Sequence, residues 1–216
     1  MGQHAYQNIL PRRRGYEIGK RAFDVCFALC GLILILPLMI AIGIAIKLNS
    51  PGPVMYKGLR SGRYGKPFYI YKFRSMVVGA DKGAGTTSKN DSRVTPFGRF
   101  IRKYKLDELP QLLNLLKGEM SFVGPRPELP RYTDEYKGKD RLILAVRPGI
   151  TDYSSLYFSN LNSLIGDDDP DMHFEKTILV EKNRLRVLYV ENRNFVGDII
   201  LIFKTVVKVF RINEKE

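Results

Sequence analysis

Residues 106–127, LDELPQLLNLLKGEMSFVGPRP, place two adjacent carboxylates, a short apolar helix and a proline-bounded arginine within 22 positions. Leu109, Leu112, Leu113, Leu115 and Leu116 recur at helical spacing; Pro110 suits a first turn and Gly118 a helix end. Asp107 is then expected to cap this helix, with Glu108 in its first turn. The positive end of a helix attracts anions, and its free N–H groups can also hold a phosphate. Two roles stay open for the acids: cap and first-turn charge, or a catalytic pair. Beyond the helix, Ser121-Phe122-Val123 reads as a short strand. Gly124-Pro125-Arg126-Pro127 then makes a turn whose prolines leave Arg126 little backbone freedom. A pre-ordered guanidinium suits a pair of phosphate oxygens; a solvated surface arginine is the other reading.

Outward from this stretch, 216 residues with 44% hydrophobic and 26% charged side chains fit one globular domain with a sizeable core and exclude a disordered chain. The formal charge of +13 points to polyanionic partners: nucleic acid, anionic lipid headgroups or phosphorylated substrates. Cys26 and Cys30 are the only cysteines, so neither a disulfide framework nor a cysteine zinc site is available, and a reducing compartment is consistent. His4 and His173 stand alone and receive no ligand role.

Residues 1–18 are polar and basic, with Arg12, Arg13 and Arg14 in a row. Val25–Ile46 then carries no charge over 22 positions, about 33 Å of straight helix against a hydrocarbon core of about 30 Å. It is too long for a signal peptide and lacks a small-residue cleavage site. Pro37 lies near its middle, where a proline removes a hydrogen bond and bends the helix. Basic residues flank it on both sides, Lys20 and Arg21 before, Lys47, Lys57, Arg60, Arg63 and Lys66 after. Since positive charge marks the cytoplasmic side, a helix that enters, breaks at Pro37 and returns to the same face is favoured over a simple spanning anchor.

Asn49–Pro53 ends this helix. Val54 to Met76 reads as a hairpin around Gly62 and Gly65, with Lys72 and Arg74 on alternate positions of one strand face. Residues 78–92 form a loop near the presumed site. Phe97 to Tyr104 reads as a basic amphipathic helix suited to a membrane interface. The stretch from Pro130 to Val146 reads as a charged helix. The acids Asp167, Asp168, Asp169 and Asp171 lack EF-hand spacing and read as a solvated turn before a helix over Met172–Val190. A last amphipathic helix covers Phe195–Phe210, with Asp198 near its start.

LDELPQLLNLLKGEMSFVGPRP resembles the signature of the bacterial sugar transferases, small monotopic polyprenyl-phosphate phosphoglycosyl transferases. KRAFDVCFALCGLILILPLMIAIGIAIKLNSPGPV, YKFRSM, VRPGIT and YVENRNFVGDIILIFKTVVKV are similar to other segments of that family. The resemblance runs from about Gly19 to the C-terminus. It implies an α/β fold, mostly helical with a small sheet. The division would be a basic segment with a re-entrant helix-break-helix over residues 1–49, then a cytoplasmic catalytic domain over 50–216 on the bacterial inner membrane. Larger relatives carry a multi-span N-terminal domain, so a catalytic-core form is expected. The implied reaction moves a phospho-sugar from a UDP-sugar to undecaprenyl phosphate, releases UMP and passes through a phosphosugar–aspartate intermediate. It would begin surface glycan assembly.

By the same resemblance Asp107 is the nucleophile, and Glu108 orients the second substrate or shares a Mg²⁺ with Asp107. Lys72, Arg102, Arg126 and Arg147 bind the diphosphate, and Pro125 and Asp198 support the site. Anionic lipid headgroups are expected partners, and a homodimer is left open. After Thr151 the sequence departs from the family: many members continue with a Gly-Leu-Ala-Gln-Val-like run, whereas this chain has Asp152-Tyr153-Ser154-Ser155-Leu156. That leaves the sugar open. A nucleic-acid partner is not expected, because the basic residues flank apolar helices and no such motif is present. A non-catalytic basic membrane scaffold for glycan assembly is the alternative.

Overall fold

The computed structural model describes residues 13–80, 91–158 and 174–213, with Leu10 and Met172. Most of the loop expected at 78–92, Arg12, both histidines and the acids at 167–171 lie outside the described residues. The first element is a helix, α1 (Arg14–Asn49), 36 residues long. Asp24, Ala28, Ile42 and Ile46 are buried, and Leu32, Ile35 and Met39 pack partly against the core. These positions recur every three or four residues, which puts them on one stripe of one helix. On the opposite side Phe27, Ile33, Leu34, Ile40, Ile44 and Leu48 are each more than half exposed, an unusually apolar surface to leave uncovered. By length and composition α1 is able to cross a membrane. The break expected at Pro37 is not seen as an interruption: α1 continues through that residue as a single element.

The core lies alongside this helix over most of its length. Arg21 donates to the carbonyls of Leu115 and Leu116 at 2.6 and 3.0 Å, while Ile46, seven turns later, packs in a second cluster with Phe73 and Ile101. Where α1 ends, the Arg74 guanidinium donates to the carbonyls of Ser50 and Pro51 and to the Ser50 hydroxyl, occupying the free carbonyls of the helix end. β2 ends at Phe73, so Arg74 lies just past the strand and is committed to the end of α1, whereas Lys72 pairs with Glu108.

Next come β1 (Met55–Ser61) and β2 (Pro67–Phe73), an antiparallel hairpin with Met55 opposite Phe73 and Ser61 opposite Pro67. The amphipathic helix α2 (Pro96–Lys103) starts at Thr95, whose hydroxyl accepts from the Gly98 amide. Its Ile101 is buried, whereas Phe100 and Tyr104 face outward. Helix α3 (Gln111–Lys117) packs on both α1 and β2. The Asn114 side chain bonds the Tyr69 carbonyl and the Tyr71 amide, so the helix is keyed to one edge of the hairpin. Gly118 closes α3 with φ 79°, as its position predicted.

Strand β3 (Ser121–Val123) then pairs in parallel with β4 (Gly149–Thr151), Ser121 opposite Gly149. The Asp24 carboxylate of α1 accepts from the Ser121 hydroxyl and the Phe122 amide, which fixes that sheet to the helix. A Cβ on Gly149 would lie 2.1 Å from the Gly124 nitrogen, so this crossing demands glycine. Between the strands the expected long helix is instead α4 (Pro130–Thr133) followed by a 3₁₀ stretch, Gly138–Ala145. Pro130 starts the first and Gly138, at φ 52°, separates the two, so local backbone geometry overrides the charged helical pattern. Helices α5 (Tyr153–Tyr157), α6 (Leu179–Asn192, preceded by a π turn) and α7 (Phe195–Asn213) complete the fold. Among the described residues the fold is mostly helical with two small sheets.

Candidate active site

The 106–127 stretch begins with a departure from its expected geometry. Leu106–Glu108 is a 3₁₀ turn and α3 starts only at Gln111, after Pro110, so Asp107 is not the N-cap. Leu106 and Leu109 pack into the cluster of Ile42, Ile46, Phe73 and Ile101, which anchors the turn on α1. Lys105, entering the turn, holds φ 56° and ψ 19°, a left-handed conformation that costs a non-glycine residue about 1 kcal/mol or more. Strain of this kind persists where packing dictates the chain path.

The two carboxylates meet different environments. Glu108 is saturated: Lys72 of β2 donates to its Oε1 at 3.1 Å, and Arg126 grips both oxygens, Nη1 reaching Oε2 at 3.1 Å and Nη2 reaching Oε1. Burial alone would raise the Glu108 carboxyl, but Arg126 and Lys72 overcome it and hold the group well below the usual carboxylate range. Asp107 is 6% exposed and, among the described residues, makes no hydrogen bond and no ion pair. Burial pushes its carboxyl up, helped by the negative charge of Glu108 and opposed by Lys72, Arg102 and Lys105. The sequence makes the two acids equivalent neighbours; the fold makes one a clamp and leaves the other uncommitted.

The clamp is held by the turn after β3. The Pro125 carbonyl accepts from the Gly149 amide at 3.0 Å, and the Arg126 amide donates to the Asp152 carboxylate at 3.3 Å. Arg126 thus has both its backbone and its guanidinium fixed, the latter also through the Ile150 carbonyl.

Of the expected site residues, Asp107, Glu108, Lys72, Arg102, Arg126 and Pro125 come together. Arg147 and Asp198 do not join them. Arg147 donates to the Gly118 carbonyl, at the far end of α3 and about 10 Å of helix away, and burial, with Arg63 and Arg21 nearby, lowers its affinity for a proton. Asp198 accepts from Tyr16 at 2.7 Å, from Tyr189 at 2.9 Å and from Lys20. Around these lies a small pocket, partly open to solvent and lined by Tyr16, Glu17, Lys20, Asp24, Arg63 and Arg147 among others. Lys105 escaped the sequence reading because nothing but its position before Leu106 marks it. Glu128, Lys182 and Arg186 escaped it as well, although Lys182 and Arg186 stand at i, i+4; Asp152 was marked only as the start of the departure from the family pattern.

Among the described residues no three acids, histidines or cysteines converge as a metal site. Magnesium is commonly held by one or two carboxylates together with substrate phosphates. Asp107 fits that role as a free carboxylate, whereas Glu108, already bound by two cations, does not.

A free buried carboxylate ringed by cations, carried against a long apolar helix, defines an anion-handling catalytic core built onto a hydrophobic support. The chain belongs to the bacterial sugar transferase family, whose sequence profile matches residues 15–212. It is 36% identical over 195 residues to the UDP-N-acetylgalactosamine-undecaprenyl-phosphate N-acetylgalactosaminephosphotransferase of Aeromonas hydrophila, covering 88% of this chain and 43% of that protein. To the UDP-glucose:undecaprenyl-phosphate glucose-1-phosphate transferase of Escherichia coli it is 38% identical over 195 residues, 88% of this chain and 40% of the relative. The match therefore spans about two-fifths of either relative. An uncharacterized sugar transferase of Bacillus subtilis is 39% identical over 193 residues and matched along 86% of its own length.

Proposed function

We propose that this chain is a phosphoglycosyl transferase that moves a phospho-sugar from a UDP-sugar to undecaprenyl phosphate and releases UMP. The observation that carries this reading is the division of labour between the paired acids: Glu108 is occupied by Arg126 and Lys72, and Asp107 is free. In the first step the Asp107 carboxylate attacks the phosphorus that bears the sugar. A phosphosugar–aspartate bond forms, the phosphoanhydride breaks, and UMP leaves with the bonding pair. In the second step a phosphate oxygen of undecaprenyl phosphate attacks the same phosphorus, the acyl phosphate bond breaks, and the carboxylate returns. No base is needed, because both nucleophiles are already anions.

The chain's own part is positioning and charge. Arg102 and Lys105 face Asp107, and Lys72 and Arg126 can share their donors between Glu108 and an arriving diphosphate. Magnesium at Asp107 would neutralise charge on the diphosphate oxygens. The lipid acceptor calls for a site at the bilayer surface. The exposed apolar side of α1 supports an inner-membrane location. Packing of the core along both halves of α1, and the basic flanks at both of its ends, support a re-entrant rather than a spanning helix, with the catalytic core on the cytoplasmic face among anionic headgroups.

The test is UMP release from a panel of UDP-sugars by purified protein with magnesium and undecaprenyl phosphate in detergent. Lipid-dependent UMP from one sugar identifies reaction and donor together. Release of inorganic phosphate from the lipid instead would assign the same aspartate to a hydrolase, and inactivity across the panel would return the chain to a scaffold role.

A further inference from the structure

The segment that departs from the family pattern is built into the site. Asp152, its first residue, is wholly buried. Its carboxylate starts α5 by accepting from the Ser155 amide at 2.7 Å, and it also takes the Ser154 and Ser155 hydroxyls, each at 2.8 Å. The same carboxylate accepts from the Arg126 amide at 3.3 Å, so one side chain both begins a helix and restrains the backbone of the clamp.

Two positions past Arg126, Glu128 is restrained from α6. Lys182 reaches its Oε1 at 2.9 Å and Arg186 reaches the same atom at 2.6 Å. Arg186 is also wholly buried, and its Nε, without a hydrogen-bond partner, lies 3.9 Å from Asp152 Oδ2. Asp152 and Glu128, which restrain the backbone at and just beyond Arg126, thus converge on a single guanidinium. A buried network of this kind is no more stabilising than a well-packed apolar filling would be. What it adds is direction, because each ion fixes the next.

We propose that the Asp152–Arg186 couple positions Arg126, so that the departure at residue 152 serves to aim the guanidinium that meets the donor diphosphate. The couple acts through Arg126 and touches no reacting atom itself. This rests on the phosphoglycosyl transfer reading for its kinetic consequence, though not for its structural one. A glycine at 152, the residue of the common family pattern, removes the acceptor for the Arg126 amide and leaves Glu128 as the one acid paired with Arg186. An asparagine removes the charge and keeps one of the two acceptor oxygens, for which the Arg126 and Ser155 amides then compete.

The experiment compares the full-length protein with D152G and D152N in detergent. Amide hydrogen exchange is followed over 121–128 and, as a control, over 153–158. Exchange over 121–128 is expected to speed roughly five- to tenfold in D152G, the loss of one buried hydrogen bond, and less in D152N. With the donor found by UMP release, KM should rise about tenfold in D152G with a smaller change in kcat, and R126K added to D152G should cost less than the product of the single effects. Faster exchange confined to 153–158, with multiplicative effects of D152G and R126K, would reduce Asp152 to a helix cap and overturn the proposal. If the wild-type protein releases no UMP, the transfer reading falls on its own, and exchange over 121–128 alone decides the positioning role.

Discussion

Two buried charge clusters lie on either side of Arg126, and they are composed differently. In the one behind the turn, Glu128 and Asp152 face Lys182 and Arg186, two acids against two cations, nearly all enclosed. In the one before it, Asp107 and Glu108 face Lys72, Arg102, Lys105 and Arg126, an excess of positive charge with one carboxylate unbound. A cluster that only has to hold a fold comes to electrical balance, since unpaired buried charge is costly. A cluster that must receive a dianionic group carries the imbalance its ligand will remove.

The sharpest way to break this contrast is at Asp107. Asp107→Asn should lower UMP release by at least about 1,000-fold, the scale of removing a nucleophile. It should also leave thermal stability equal or higher, because the raised carboxyl makes the charged form of Asp107 a cost to folding at neutral pH. A variant that loses both activity and stability would make Asp107 a structural ion. Arg186→Met should do the reverse in the balanced cluster, where leaving Glu128 and Asp152 with one cation removes about 3–5 kcal/mol in urea denaturation.

pH separates the clusters further. Glu128 is pulled down to about 2, burial raising it but Lys182 and Arg186 prevailing; its contribution is complete above the ordinary glutamate range and disappears as pH falls through that range toward about 2. Asp107 is shifted the other way, so the rate should fall with acidification at a pH above the ordinary aspartate range, while the protein is still folded. Circular dichroism and UMP release across the same pH series would show the two limbs apart; coincident limbs would mean that inactivation is unfolding. The smallest effect belongs to Arg147→Ala, which loses one bond to the α3 terminus at Gly118, on the order of 1 kcal/mol. Its donor KM should stay within about threefold of wild type by the same assay, since this half-buried contact lies at the Gly118 end of α3, away from Asp107 and Glu108. A tenfold rise would bring Arg147 back to the diphosphate.

Much of the fold was legible from periodicity and punctuation. The leucine spacing and Gly118 gave α3, the glycines gave the hairpin turn, and Pro125–Pro127 gave a rigid arginine. The errors share a cause, which is that local pattern says nothing about what packs against it. Asp107 reads as a cap because an acid precedes a helical run, yet Leu106 and Leu109, drawn onto α1, tighten the chain into a 3₁₀ turn and delay the helix. The stretch 130–146 reads as one charged helix, yet it divides into α4 and a 3₁₀ stretch that begins at Gly138. At the site, residue types were visible but pairings were not: nothing in DE tells which acid Arg126 takes. The balanced cluster was hidden because its members come from three segments, at 128, 152 and 182–186, brought together by the parallel pairing of β3 with β4 and by the packing of α6 on α5 and on the 138–145 stretch.

The packing of α1 on the core has a mechanical consequence. Because Arg21, Asp24, Leu32, Ile42 and Ile46 attach one rod to the same body, helix and catalytic turn move as a unit. On the proposed transfer to a lipid phosphate, immersion of α1 in a bilayer would work as a depth gauge, setting the level at which Asp107 rides relative to that phosphate. Membranes with longer or shorter acyl chains would raise or lower that level without altering a single bond inside the protein.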